Sequence, residues 1–191
     1  MTRLLRGEEF DAKFRQFQSS VFRLATLQVY RGSGEEDAIA AFQSGLAEPP
    51  ADQKQADWEE MIRVNLRSGR AMQRVHVVVE PLSPYMRFEL TWAYAPNAAA
   101  GEDIRIIPVR ENVWPPELPR QDFWLFDDVE LFVAHYADDG LWLGVEPVAD
   151  PARLAAARRW RNVALRLARP WREYMAERPE LAARIPAAIR D

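Results

Sequence analysis

The sequence predicts an α/β fold: a mixed sheet flanked by helices, with a helical layer at the N-terminus. Three observations carry this. A strand, a helix and a second strand follow one another between residues 72 and 109. Two hairpin signals come next, between Asp122 and Val145, and a long amphipathic helix opens at Asp150-Pro151. A chain of 191 residues buries roughly 70% of its unfolded surface, so one domain with a sizeable core is expected. Its parts are a helical layer (1–70), an α/β core (71–176) and a C-terminal helix (177–191).

Phe10, Phe14, Phe17 and Val21 are spaced four, three and four apart, which places an aromatic seam on one helix face. Phe22–Tyr30 alternates and reads as a strand, punctuated by Gly32-Ser-Gly34. Helices are expected over Glu35–Leu46 and Asp57–Arg67, the second closed near Gly69. Met72–Val79 alternates and then runs apolar, as a buried strand does. Ser83-Pro84 supplies an N-cap and a proline at the first helical position; that helix runs to about Ala95 and ends by Gly101. Ile104–Val109 is the next strand, reached by a right-handed crossover, so the sheet is partly parallel. After the Pro-rich loop Trp114–Pro119 come a short strand Asp122–Phe126, a turn at Asp127-Asp128 and a strand Val129–Tyr136. The Asp138-Asp-Gly140 turn then leads to a strand Leu141–Val145. The final long helix is expected to reach Met175, with a seam of Ala157, Trp160, Ala164, Leu167, Trp171 and Met175; a short helix starts at Pro179.

Composition narrows the chemistry. The chain has no cysteine, which excludes disulfides and thiolate sites, and two histidines argue against a multi-histidine metal centre. No cofactor and no metal are expected. The net charge of −4 argues against nucleic acid as a partner. The charge is uneven: residues 150–191 carry ten arginines against five acids, and the rest is acidic. With no signal-peptide pattern and no apolar run long enough for a bilayer, a cytoplasmic protein without membrane association is the expectation.

Five groups of residues are candidates for chemistry. His76 lies in a strand on the same face as Arg74; it reads as a buried, hydrogen-bonded histidine or, alternatively, as a general base lining a pocket. The acids Asp122, Asp127, Asp128 and Glu130 read as turn caps and ion-pair partners, or as acid–base groups. The helix with Arg87, Glu89 and Trp92 reads as a packing helix, or as one in which Arg87 clamps a carboxylate or phosphate. Arg158, Arg161, Arg169 and Arg172 fall within about 80° of arc on the final helix and form a stripe for an acidic partner or for internal pairing. Trp114, in its Pro-rich loop, is the expected exposed anchor. The catalytic candidates are therefore His76, Glu89 and Asp122. The ligand-binding candidates are Arg74, Arg87, Trp92, Arg105 and Arg120, and the partner-binding ones are Trp114 and the four arginines of the stripe.

From Met72 to Tyr174 the order of elements resembles a single phospholipase D-like domain. The cues are Arg74-Val-His-Val-Val-Val79, Gly101-Glu-Asp-Ile-Arg-Ile106 and Asp122-Phe-Trp-Leu-Phe-Asp-Asp128. That family's signature, His-x-Lys-x-x-x-x-Asp, keeps only its last residue when set on Asp127. Its His falls on Arg120 and its Lys on Asp122, so the resemblance implies a degenerate, non-catalytic domain and, by the family's habit of pairing, a homodimer. Over nearly its full length the chain also resembles an actinobacterial family of uncharacterised proteins, through Leu5-Arg-Gly-Glu-Glu-Phe-Asp11, Gln73-Arg-Val-His-Val77, Tyr85-Met-Arg-Phe-Glu-Leu90 and Ala100-Gly-Glu-Asp-Ile-Arg105. That resemblance implies a protein partner such as a helix-turn-helix regulator or a small acidic protein. The expected function is a non-catalytic binding or regulatory module acting through a protein partner or a small ligand. The alternative is an enzyme of group or acyl transfer, with a pocket around His76, Arg87, Glu89 and Asp122.

Overall fold

The computed structural model describes residues 3–190. The strands are β1 (Ser20–Ala25), β2 (Ala71–Glu80), β3 (Asp103–Arg110), β4 (Phe123–Phe126), β5 (Glu130–Tyr136), β6 (Trp142–Val148) and β7 (Arg169–Pro170). They form one mixed sheet in the order β6-β5-β4-β1-β2-β3-β7. The adjacent strands β1, β2 and β3 are parallel, and every other neighbour is antiparallel. The helices are α1 (Glu8–Asp11), α2 (Lys13–Gln16), α3 (Glu36–Gln43), α4 (Gln53–Arg67), α5 (Pro84–Phe88), α6 (Tyr94–Ala100), α7 (Pro151–Leu167), α8 (Trp171–Ala176) and α9 (Pro179–Ala182). A π-helical turn, Glu89–Ala93, joins α5 to α6.

Alternation along the strands sorts the core into two faces. Phe22, Leu24, Val75, Val77, Phe123, Leu125, Leu131 and Val133 pack under α7, against its Ala157 and Ala164. Val21, Met72, Trp124, Phe126 and Phe132 face the other way and meet Phe10, Phe14 and Ile62 from α1, α2 and α4. Farther along that face, α5, α6 and α8 cover Ala25, Val78, Ile104 and Ile106.

Several boundaries differ from the sequence expectation. The N-terminal seam breaks into α1 and α2, with Phe17 extended at φ −63° and ψ 152°. The Asp127 carboxylate explains the break, because it accepts the backbone N–H of Gln18 at 2.8 Å, Ser19 at 2.7 Å and Ser20 at 3.0 Å, and turns the chain into β1. Phe10, Phe14, Phe17 and Val21 still share one cluster. The first strand stops at Ala25 instead of Tyr30. There the Gln28 side chain takes over the ladder, donating to the Val77 carbonyl and accepting from the Val79 N–H, both at 2.8 Å. The segment 1–70 is therefore not a helical layer alone: it supplies β1, at the middle of the sheet.

The long C-terminal helix ends at Leu167, not at Met175. Proline at 170 pushes Arg169 to extended backbone, and the pair adds to the sheet edge as β7, opposite Arg105 and Ile106. Leu167, expected in the seam, is 40% exposed. Among the described residues no helix is long and apolar enough to cross a membrane.

Candidate functional site

The site is built on the face of the sheet that carries most helices. Arg23 of β1 and Arg74 of β2 are register partners, and Trp124 of β4 sits opposite Arg23 on its other side. One row across the sheet therefore reads Trp124, Arg23, Arg74. Above this row the helices do not close. They leave a cleft of about 780 Å³ between α1 and α2 on one side and the 30–35 loop and α5 on the other. Trp58 and Met61 of α4, Tyr30, Tyr85, Glu89, Asn97, Tyr136 and Trp142 complete its inner wall.

Both arginines already have partners. The Arg74 Nε donates to Glu102 Oε1 at 2.8 Å, and the guanidinium stacks 5.0 Å from the Tyr94 ring. Arg23 lies between the rings of Trp124 (4.8 Å) and Tyr30 (5.1 Å), with Asp122 at 3.6 Å. Its Nε is sealed from solvent and has no hydrogen-bond partner among the described residues. Asp122, 2% exposed, is fully engaged. It accepts from the Thr26 N–H and hydroxyl at 2.7 and 2.6 Å and from the Tyr30 hydroxyl at 2.7 Å.

Among the buried carboxylates Glu102, Asp122 and Glu89, Glu89 makes the fewest hydrogen bonds. It is buried at the start of the π turn and lines the cleft. One oxygen accepts from the Tyr85 hydroxyl at 2.9 Å; the other faces Arg74 Nη1 at 4.0 Å. Burial raises its pKa, Glu35 adds to the rise, and Arg74, Arg23 and Tyr85 pull it back, leaving it at about 7. A carboxyl poised near neutrality can bind a cation, hold a proton or pass one on.

The four residues expected to form an enzyme pocket do not come together. Arg87 points outward on the exposed face of α5. His76 is wholly buried, with Nδ1 2.6 Å from the Tyr94 hydroxyl and Nε2 2.7 Å from the Leu27 carbonyl. Nε2 therefore donates, and in the neutral ring Nδ1 accepts from the Tyr94 hydroxyl. Burial lowers its pKa to about 3, with Arg23 and Arg74 nearby adding to the drop against the Leu27 hydrogen bond. Of the four, Glu89 alone lines the cleft.

The ligand-binding candidates divide in the same way. Arg74 lines the cleft. Trp92 is buried elsewhere, its Nε1 donating to the Arg184 carbonyl at 3.0 Å. Arg105 pairs in register with Val75, hence on the α7 face, and its Nε is 3.0 Å from Asp103. Arg120 stacks 4.8 Å from the Trp114 ring at the surface.

The partner-binding candidates need correction. Trp114 is half-buried, packs on the α7 side of the core and donates to the Leu118 carbonyl at 2.9 Å, so it is not a free anchor. The arginine stripe is broken because Arg169 and Arg172 lie beyond the end of α7. Arg158 donates to the Asp128 carbonyl at 2.6 Å, and Arg161 pairs with the Asp128 carboxylate. Arg169 pairs with Glu177 at 2.7 Å, and Arg172 lies 5.9 Å from the Trp171 ring. The remaining acids act as caps and pairs: Asp127 holds the chain before β1, and Glu130 pairs with Lys13 at 2.6 Å.

Sequence reasoning missed Arg23, Tyr30, Tyr85, Tyr136 and the convergence of Trp58, Trp124 and Trp142. Arg23 did carry a signal, as the one charge inside the apolar run Val21–Ala25. Among curated proteins and among solved structures, none matches the chain. A family model described as a domain of unknown function, DUF6879, matches residues 8–176, and the chain belongs to that family.

Proposed function

We propose that this protein is a ligand-binding module whose site is the aromatic cleft above Arg23 and Arg74. The observation that carries the reading is the cleft itself. About 780 Å³ of space stands over the centre of the sheet, walled by tryptophans and tyrosines and floored by buried charges. That volume and lining suit a small organic ligand. In this reading the scaffold is a degenerate phospholipase D-like domain, and ligand binding is its regulatory input. With the signature set on Asp127, its His and Lys fall on Arg120 and Asp122; the first stacks on Trp114 and the second is fully hydrogen-bonded, which supports a non-catalytic reading. A protein partner docking on the arginine stripe is less well supported, because Arg158, Arg161 and Arg169 are engaged internally.

The enzyme reading keeps one observation in its favour, Glu89 beside the Tyr85 hydroxyl in the cleft. His76 is not available to them as a base, since both its nitrogens are committed. The test is a crystal soak with a panel of neutral, cationic and anionic aromatic fragments. Density is expected between Trp58, Trp124 and Tyr136. Fragments gathering elsewhere, with this cleft empty, would overturn the proposal.

A further inference from the structure

We infer that the cleft takes an organic cation: an amine whose ammonium meets Glu89 and whose apolar body lies against Trp58, Trp124 and Tyr136. The inference rests on the cleft being the ligand site and adds the class of ligand. Two arginines in the floor suggest an anion at first sight. Each already faces a buried carboxylate, however, Arg74 meeting Glu102 at 2.8 Å and Arg23 meeting Asp122 at 3.6 Å, and the Arg23 Nε is sealed from solvent and so out of a ligand's reach. At the mouth, Arg15 pairs with Glu8 and Arg31 with Asp139. Lys54 is then the one lining cation without a carboxylate within 4.0 Å among the described residues. Against it stand Asp11, Glu35, Asp52 and Asp57, which line the cleft and make no ion pair among the described residues, and Glu89, whose nearest cation is 4.0 Å away. The charge left over is negative. Asp11, Asp52 and Asp57 are exposed at the rim, Glu89 is buried beside Tyr85, and the aromatic rings of the lining attract cations through their quadrupoles.

The position of Glu89 sharpens this. Its Oε2 is occupied by the Tyr85 hydroxyl, whereas Oε1 accepts no hydrogen bond among the described residues. An ammonium donor would complete it. The groups that set its charge come from every side: Arg74 of β2, Arg23 of β1, Tyr85 of α5, Tyr94 of α6 and Glu35 ahead of α3. An incoming cation favours the ionised carboxylate, so binding should expel a proton below neutrality.

The experiment is a calorimetric titration of the full chain with three probes of one shape: tryptamine, 3-ethylindole and indole-3-propionate. Tryptamine is expected to bind at least tenfold more tightly than 3-ethylindole, with the carboxylate weakest. Its affinity should rise about fivefold from pH 6 to pH 7, reach about tenfold by pH 8 and level off above that. Glu89→Gln should lose at least tenfold toward tryptamine and stay within twofold for 3-ethylindole, which also reports that the variant is folded. If that variant does not fold, the pH profile of the native chain reads the same group. Indole-3-propionate ranking first, or three equal affinities, would overturn the cation while leaving the cleft as the ligand site. No binding by any probe, together with an empty cleft in the fragment soak, would overturn both.

Discussion

Burial drives His76 and Glu89 to their neutral forms from opposite sides of the pH scale. His76 falls from 6.5 to about 3 and Glu89 rises from 4.5 to about 7. The consequences for stability have opposite signs. Below pH 6.5 the unfolded chain binds a proton at His76 that the folded chain refuses, so stability rises with pH in that window. Between 4.5 and 7 the folded chain holds a proton on Glu89 that the unfolded chain has lost, so stability falls with pH. Between 4.5 and 6.5 the two contributions cancel, each being about 1.4 kcal/mol per pH unit. Glu89→Gln removes one of them. Urea unfolding at pH 5, 5.5 and 6 should give the variant a slope about 1.4 kcal/mol per unit more positive than that of the native chain. Equal slopes would mean that Glu89 titrates as if in water. The buried state of His76 was legible from alternation, because it shares a β2 face with Arg74 and Val78. The role of Glu89 was legible only in part: the residue stood out in a polar-aromatic helix, but its neighbours Arg74 and Tyr85 meet it through tertiary packing.

The π-helical turn is the element that aims Glu89. Five residues, Glu89–Ala93, inserted between α5 and α6 turn the chain so that Glu89 faces the cleft while Trp92 is carried to the Arg184 carbonyl. The Leu90 carbonyl accepts from Trp171 Nε1 at 2.9 Å, which ties this turn to α8. Gly101 stops the run at φ +113°, where a Cβ would stand 2.3 Å from Leu66 Cδ2 of α4. Gly101→Ala is therefore expected to cost about 2 kcal/mol and to lower the melting temperature by about 4–8 °C. Calorimetry that shows an unchanged midpoint would mean that the turn and Leu66 yield freely. The N-caps at Ser83 and Asp150 and the Gly101 stop were all legible, because capping is local chemistry. The π turn was not, since it answers to what α8 packs against it. The break after Leu167 was signalled by Pro170, but the apolar period on both sides of it mimics one continuous helix.

At the scale of the molecule, the C-terminal segment closes the side of α5 and α6. Leu181 and Ile185 are buried there, and Arg184 lies 4.2 Å from the Phe42 ring. Deleting residues 179–190 should cost about 3–6 kcal/mol, two buried aliphatic side chains at 1.5–3 each. A lower urea midpoint and a red-shifted tryptophan emission from the uncovered Trp92 are expected; an unchanged midpoint would show that this segment only rests on the surface. The crossover from β2 to β3 was legible because it joins neighbours in sequence. The central place of β1 was not, since its partners begin at Ala71 and Phe123 and nothing local names them.

That strand order also sets a timetable. During synthesis β1 leaves the ribosome before the other strands of this sheet, yet the neighbour on its β4 side is made roughly a hundred residues later. At about 5–20 residues per second, that leaves an interval of about 5–20 seconds. Through this interval the growing chain carries an open apolar edge, with Phe22 and Leu24 lacking β4. A nascent chain that stalls before Phe123 thus exposes a surface of the kind chaperones bind, and that face is fully covered only once α7 has been made.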